Sequence, residues 1–124
     1  MKQEGFYREM DGTDDLPSIH DAVGRLEIDD KEALVRYLAS GRGVILAPTW
    51  VPDVLDPDGG RAGGLGYLTD GDWVWPQALS YYVDRYDLAV SDDFLEHARG
   101  NRWIVPELSV ERLDEIVEDF VVVE

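Results

Sequence analysis

Residues 66–76, GYLTDGDWVWP, place Asp70-Gly71 between two short runs rich in aromatic and β-branched residues. Asp-Gly between such runs is a strong local signal for a β-hairpin, because the turn needs residues that tolerate a positive φ. Side chains alternate along a strand, so Trp73 and Trp75 would share one face. The stretch therefore predicts a pair of antiparallel strands near 66–69 and 72–75.

The flanking sequence predicts the rest of an α+β fold. The apolar runs GVILAP and RWIV predict two further strands, the first of them buried. Capping residues and apolar periodicity predict four to five helices, which begin after Ser18, Asp29, Ser91 and Ser109 and at Pro76. The simplest burial scheme packs these helices on a small antiparallel or mixed sheet. The strands are expected near 43–48, 66–69, 72–75 and 102–105.

The length of 124 residues fits a single domain, 1–124. Residues 1–15 are polar and acid-rich, and we expect a mobile arm there unless Phe6, Tyr7 and Met10 dock onto the body. The chain has no cysteine, which excludes disulfides and thiolate chemistry. We read no signal peptide in the N-terminal residues, and the apolar runs are too short to span a bilayer, so we expect a cytoplasmic protein.

The charge balance is strongly acidic. Eleven Lys and Arg against 27 Asp and Glu give a net charge of −16. A field of this sign repels nucleic acid and anionic membrane surfaces, and it accelerates encounter with a basic protein. The alternative is that the acidity only keeps the protein soluble.

No motif in the sequence assigns a catalytic residue, a cofactor or a metal. The glycines of 59–66 lead into a strand and lack the Gly-Lys-Ser/Thr ending of a phosphate-binding loop. The Asp-Gly turns lack the further oxygen ligands of a calcium loop, and His20 and His97 have no metal-ligand spacing. Among the carboxylates, only Asp72 and Asp84 lie near aromatic residues in a way that would suit an enzyme.

Aromatic residues concentrate in the middle third of the chain, close to many acids. Tyr81 falls outside the apolar stripe of its predicted helix, which suits an interface residue. Aromatic anchors among acids are typical of a surface that meets a basic partner. The predicted partner-binding residues are Trp50, Asp53, Asp56, Asp58, Asp70, Asp72, Trp73, Tyr81 and Asp84.

The segment 68–87, LTDGDWVWPQALSYYVDRYD, followed by FLEH at 94–97, resembles a group of small actinobacterial proteins of unassigned function. YLASG at 37–41 and DVLD at 53–56 resemble that group too, so the likeness covers residues 29–106. It implies no catalytic residues. In size and charge the chain is also similar to immunity proteins of bacterial polymorphic toxin systems, which are small acidic cytoplasmic domains that bind and block a toxin.

Three functional hypotheses follow from these patterns. The leading one is a non-enzymatic binding protein, in its most specific form an immunity-type inhibitor of a basic toxin domain. The second is a structural or regulatory protein that forms a homodimer and is acidic only for solubility. The third is an enzyme that uses carboxylates such as Asp72 and Asp84.

Overall fold

The computed structural model describes residues 1–11 and 14–121. Those residues form the predicted α+β fold, in which five α-helices pack on a four-stranded mixed sheet. The strands are β1 (Lys2–Gln3), β2 (Arg42–Pro52), β3 (Arg61–Thr69) and β4 (Trp73–Pro76). The helices are α1 (Arg8–Asp11), α2 (Lys31–Ala39), α3 (Leu79–Tyr86), α4 (Asp92–Gly100) and α5 (Val110–Val121).

The predicted hairpin is confirmed and forms the middle of the sheet. The strand order is β1-β4-β3-β2, with β3 antiparallel to both β4 and β2. Leu68 lies opposite Trp75 in the β3–β4 ladder. Pro76 ends β4 instead of opening a helix, and α3 begins three residues later at Leu79. Pro76 thus lies at a strand end, where its missing N–H removes no interior ladder hydrogen bond.

The two hairpin tryptophans pack on the same side of the sheet. The ring of Phe94, on α4, lies 5.2 Å from Trp73 and 5.5 Å from Trp75, in edge-to-face contacts. Tyr37, on α2, stacks 6.1 Å from Trp75. The indole of Trp75 also donates a hydrogen bond of 2.9 Å to the carbonyl of Leu38. Truncating a buried aromatic of this kind costs about 3–5 kcal/mol, so this aromatic layer is a major stabilising element.

A second, smaller aromatic cluster links α5 and the N-terminal residues to the sheet. Tyr67, on β3, lies 5.0 Å from Phe120 on α5 and 5.7 Å from Phe6. Ile116 is fully buried outside the main core. The amphipathic helix α5 therefore packs its apolar stripe against the sheet, as its periodicity requires.

The strand β2 is longer and more exposed than the buried strand predicted near 43–48. It runs from Arg42 to Pro52 and, in the described part of the chain, lies at the edge of the sheet beside β3. A continuous apolar run suits a strand that is covered on both faces, which is why the sequence suggested burial. Its two prolines, Pro48 and Pro52, fit the edge position, because proline has no backbone N–H to donate and is tolerated where that N–H would face solvent.

The strand predicted near 102–105 is wrong. Arg102 and Trp103 both have a positive φ, of 58° and 60°, which is incompatible with an extended strand. The N–H of Trp103 donates to the carbonyl of Ala98 at 3.0 Å, so the chain winds around the end of α4. The last carbonyl groups of a helix have no N–H partner within the helix. Here backbone N–H groups of the strand-like sequence donate to them.

The helix predicted after Ser18 is reduced to a single 3₁₀ turn, Ile19–Asp21. Ser18 does cap it, since its hydroxyl oxygen accepts the N–H of His20 at 3.2 Å. Gly24 has a φ of 73°, a left-handed conformation that does not continue a helix.

Residues 1–11 are docked on the body, the second of the two outcomes that the sequence left open for the N-terminal arm. Lys2 and Gln3 pair with β4 in a parallel ladder. Tyr7 is buried, and Met10 packs against the core. The rest of that predicted arm includes Gly12 and Thr13, which lie outside the described residues.

Candidate partner-binding surface

The structure divides the nine predicted partner-binding residues into a buried set and an exposed set. The side chains of Asp53, Asp70 and Trp73 are buried. Tyr81 is half-buried. The remaining five lie at or near the surface, and they are Trp50, Asp56, Asp58, Asp72 and Asp84. Burial removes the first three from any open contact surface, because a partner cannot reach their side chains.

Asp70 is the centre of a buried polar network. Only 1% of the residue is exposed. Its Oδ2 accepts the hydroxyl proton of Tyr37 at 2.6 Å and lies 2.9 Å from Nε2 of His97. In the tautomer that carries its proton on Nε2, His97 donates this hydrogen bond to the carboxylate. Asn101 extends the network by donating to the Tyr37 hydroxyl at 2.9 Å.

The second carboxylate oxygen of Asp70 shapes the hairpin turn. Its Oδ1 accepts the backbone N–H of Asp72 at 3.0 Å and that of Trp73 at 2.9 Å. Gly71 supplies the positive φ of 108° between them. Asp70 therefore ties α2, α4 and the β3–β4 turn together, and burial with a hydrogen-bonded carboxylate raises the pKa of Tyr37.

Asp53 organises the loop between β2 and β3 in the same manner. Its Oδ2 accepts the hydroxyls of Tyr81 at 2.7 Å and Tyr86 at 2.6 Å. Its Oδ1 accepts the backbone N–H of Leu55 and that of Asp56. Burial alone would raise the pKa of Asp53, but these hydrogen bonds outweigh it and hold the pKa below its ordinary value.

Tyr81 is therefore not the free aromatic that its position off the helical stripe suggested. Its hydroxyl also accepts a hydrogen bond of 2.9 Å from Arg85, which reaches Asp56 at 3.2 Å. Tyr81 thus binds the acidic loop of its own chain to α3. The loop acid Asp56 is paired with Arg85, whereas Asp58 is exposed in the same loop.

A third buried acid, Glu4, was not predicted from the sequence. Its carboxylate accepts the N–H and the hydroxyl of Ser91, both at 2.8 Å. Burial raises the pKa of Glu4. Ser91 caps α4 through the N–H of Phe94 at 3.2 Å, so Glu4 joins the N-terminal residues to the start of that helix. A separation of 87 residues gives no local pattern by which sequence could pair them.

Trp50 lies in a strip of exposed apolar side chains along β2. It is 57% exposed, and Ile45 and Leu46 of the same strand are 38% and 61% exposed. Leu65, on the neighbouring strand β3, is 44% exposed. We call these four residues the β2 strip. Leu46 and Trp50 pair with Gly66 and Gly64, so these two share one face of the sheet, while Ile45 and Leu65 lie on the other face.

A bulge beside Trp50 opens a groove in this strip. Leu46 pairs with Gly66 and Trp50 with Gly64, so β2 advances four residues while β3 advances two. The extra residues bow away from the sheet and leave a groove of about 400 Å³. We call it the bulge groove, and it is lined by Leu46, Ala47, Pro48, Thr49, Trp50, Gly64 and Gln77.

Gln77 closes the floor of the bulge groove against β3. Its backbone N–H donates to the carbonyl of Gly66 at 2.8 Å. A Cβ on Gly64 would lie 2.8 Å from Oε1 of the flexible Gln77 side chain, and a Cβ on Gly66 would lie 2.6 Å from the backbone oxygen of Ile45, so Gly66 is the position that needs glycine. Of the glycines that the sequence analysis examined for phosphate binding, Gly64 and Gly66 thus lie against the Gln77 side chain.

A smaller, mainly apolar cavity of about 170 Å³ lies between β3, α1 and α3. Val51, Leu65 and Tyr82 contribute to its wall, and Glu9 is its one ionisable carboxylate. Both carboxylate oxygens of Glu9 already accept hydrogen bonds, from the hydroxyl of Ser18 and the N–H of Ile19. The bond from Ser18 lowers the pKa of Glu9.

The carboxylates that the sequence singled out for an enzyme are both exposed. The side chain of Asp72 is 68% exposed, and its Oδ2 lies 3.7 Å from Nε2 of His97. Asp84 is exposed on α3. Within residues 1–11 and 14–121, no three His, Asp or Glu side chains converge in a way that would hold a metal ion.

Comparison with protein-family models, with curated proteins and with solved structures found no match for this chain. In the described part of the chain, each helix is too short or too polar to cross a bilayer.

Proposed function

We propose that this protein is a non-catalytic binding protein that engages a basic protein partner through the β2 strip. The observation that carries the proposal is an eleven-residue edge strand whose apolar side chains, led by Leu46 and Trp50, are exposed on a chain with a net charge of −16.

The energetics of an uncovered edge strand support this proposal. When a partner buries apolar side chains, the binding free energy becomes more favourable by about 25 cal/mol for each Å² removed from water. Natural edge strands usually avoid this exposure with charges, with proline or with a covering element. β2 carries Pro48 and a bulge, which interrupt the edge for strand pairing, yet it keeps Trp50 and Leu46 exposed. The strip is thus suited to contact through side chains, and tryptophan is a frequent anchor of such interfaces.

The charge of the chain supports a basic partner. A body with a net charge of −16 attracts a basic protein and raises its association rate. Asp56 and Asp58 lie in the loop between β2 and β3, where Asp56 is paired with Arg85 and Asp58 is exposed. The most specific form of the hypothesis, an immunity-type inhibitor of a basic toxin domain, stays a prediction.

A homodimer is the second candidate, and the same observation favours it. Two copies could cover each other's β2 strip, which would remove the exposed apolar side chains from water. This arrangement would bring two chains of −16 together, and their repulsion opposes it. We therefore place the basic partner first.

Site-specific photocrosslinking in the protein's own cells tests the proposal. A benzoylphenylalanine replaces Trp50 in one variant and Val110 in the control, because Val110 is 71% exposed on α5. We expect position 50, and not position 110, to give an adduct with one protein that has more Lys and Arg than Asp and Glu. An adduct between two copies of the chain, or equal adducts from both positions, would contradict the proposal.

A further inference from the structure

We propose that the bulge groove receives an arginine side chain from an extended segment of the basic partner, with the indole of Trp50 as the surface on which the guanidinium stacks. This inference rests on the proposed function, and it names the side chain that the strip recognises.

The chain itself places a guanidinium on this ring. Arg61, at the start of β3, lies with its Cζ 5.3 Å from the centroid of Trp50. Cation–π attraction acts within about 6 Å, so the ring already binds one guanidinium in this fold. Trp50 nevertheless remains 57% exposed. A large part of the indole is therefore open to a second arginine.

The walls of the bulge groove suit the two halves of an arginine side chain. Leu46 and Pro48 offer apolar surface to the methylene stem. Long cationic side chains bury this stem while their charged end remains in polar surroundings. Thr49 and Gln77 place a hydroxyl and an amide in the same groove, and the oxygen of either can accept a guanidinium N–H.

Arginine fits this groove better than lysine or an apolar side chain. A planar guanidinium stacks on an indole and is more weakly hydrated than an ammonium, so it loses less when it leaves water. A purely apolar anchor would not use the acids that follow β2. The acid that a partner can reach in the loop after β2 is Asp58, which is exposed, because the carboxylate of Asp53 is buried among its own hydrogen-bond donors.

The arginine site also distinguishes a basic partner from a second copy. Eleven Lys and Arg are spread over the chain against 27 acids, so another copy brings few cations and much repulsion. A segment with several arginines is attracted by the net negative charge of the whole chain, and one of its guanidinium groups stacks on Trp50. Charge complementarity therefore selects the partner segment as the occupant of the bulge groove.

Titration of the ¹⁵N-labelled protein with hexa-arginine and with hexa-lysine at 0.15 M salt tests this inference. We expect hexa-arginine to shift the backbone amides of 46–50 and of Gly64, together with the indole N–H of Trp50. Trp103 is the internal control, because Arg99 lies 5.9 Å from its ring in a comparable cation–π contact. The indole signal of Trp103 should stay in place.

Matched variants measure the contribution of the ring. Trp50→Leu keeps an apolar side chain and removes the π face, and it should weaken hexa-arginine binding about 3- to 30-fold. Val110→Ala, which truncates an exposed apolar residue on α5, should leave the affinity unchanged. Hexa-lysine should bind the wild type more weakly than hexa-arginine does.

The outcomes separate this inference from the proposed function. If both peptides bind equally, Trp50→Leu has no effect and the shifts still lie along β2, the arginine site is wrong and the β2 strip remains the binding surface. If the shifts lie on other acidic surfaces and spare β2, both proposals are wrong. If no peptide binds, the arginine site is wrong, and the crosslinking at position 50 decides the function independently.

Discussion

Replacing Asp70 tests whether the buried network around this carboxylate holds the fold together. Asp70→Ala removes the acceptor of four hydrogen bonds, two from backbone N–H groups and two from the side chains of Tyr37 and His97. Hydrogen bonds to a charged group contribute about 1.5–3 kcal/mol each, but their effects overlap within one network. Leaving a buried donor unpaired costs about 1–3 kcal/mol, so for these four donors with overlapping effects we expect about 4 kcal/mol in total.

Asp70→Asn separates the loss of charge from the loss of shape. Its side-chain oxygen can still accept both backbone N–H groups of the turn, while the amide nitrogen replaces the oxygen that faces Tyr37 and His97. The Tyr37 hydroxyl then loses the acceptor of its proton, so we expect a cost of about 1–2 kcal/mol. The turn itself should persist in this variant.

Urea denaturation at pH 7 measures both costs, with Asp72→Ala as the matched control. Asp72 is two residues away, but its side chain is 68% exposed. With a slope of about 2 kcal/mol/M, Asp70→Ala should lower the urea midpoint by about 2 M and Asp70→Asn by less than about 1 M. Asp72→Ala should change stability by no more than about 0.5 kcal/mol. Equal midpoints for Asp70→Ala and Asp72→Ala would refute the role of the network.

Three further predictions concern other contacts of the fold. The pKa of Asp53 is lowered on folding, so the ionised carboxylate stabilises the folded state. This stabilisation is fully present above the unfolded-state pKa of about 3.9 and is lost as the pH falls through the folded-state pKa. Asp53→Asn should therefore flatten the decline of the urea midpoint below pH 4, and an unchanged decline would contradict this. Gly66→Ala would bring a Cβ within 2.6 Å of a β2 carbonyl oxygen and should lower the melting temperature, whereas Gly100→Ala meets no atom and should raise it. Ser91→Ala removes a helix cap and a donor to a buried carboxylate, so it should cost about 1–2 kcal/mol and more than Ser109→Ala, and equal costs would contradict the buried contact.

The elements that sequence predicted well are those that local signals determine. Asp70-Gly71 between two aromatic runs predicted the hairpin, and a glycine with a positive φ lies in its turn. Ser91, with two acids in the next turn, predicted the start of α4, and its hydroxyl caps that helix. Both features depend on residues within about four positions of each other, which a single sequence contains.

The incorrect elements are those in which a distant contact overrides the local pattern. Residues 102–105 have strand-like composition, but the last carbonyls of α4 bind their backbone. The run at 43–48 is apolar enough for a buried strand, yet among the described residues β2 is the last strand of the sheet and most of its residues stay exposed. Neither the helix end nor the strand order is encoded within the run itself.

The candidate site was predicted in part. Trp50 was selected from the sequence, and it lies in the exposed β2 strip. Ile45 and Leu46 were missed, because the same run was assigned to the core. Asp53 and Asp70 were assigned to the surface because acids are usually solvated, but each turns inward to bind backbone N–H groups and tyrosine hydroxyls.

The oligomeric state of the free protein tests most directly whether the β2 strip is kept for a different molecule. Sedimentation velocity compares the wild type with Leu46→Lys, whose added charge would disrupt any contact between two copies at β2. We predict that both sediment as monomers of 14.0 kDa at every concentration up to about 0.5 mM, since repulsion between chains of −16 opposes self-association. A wild-type dimer that Leu46→Lys converts to a monomer would contradict the account, because the chain itself would then cover the strip.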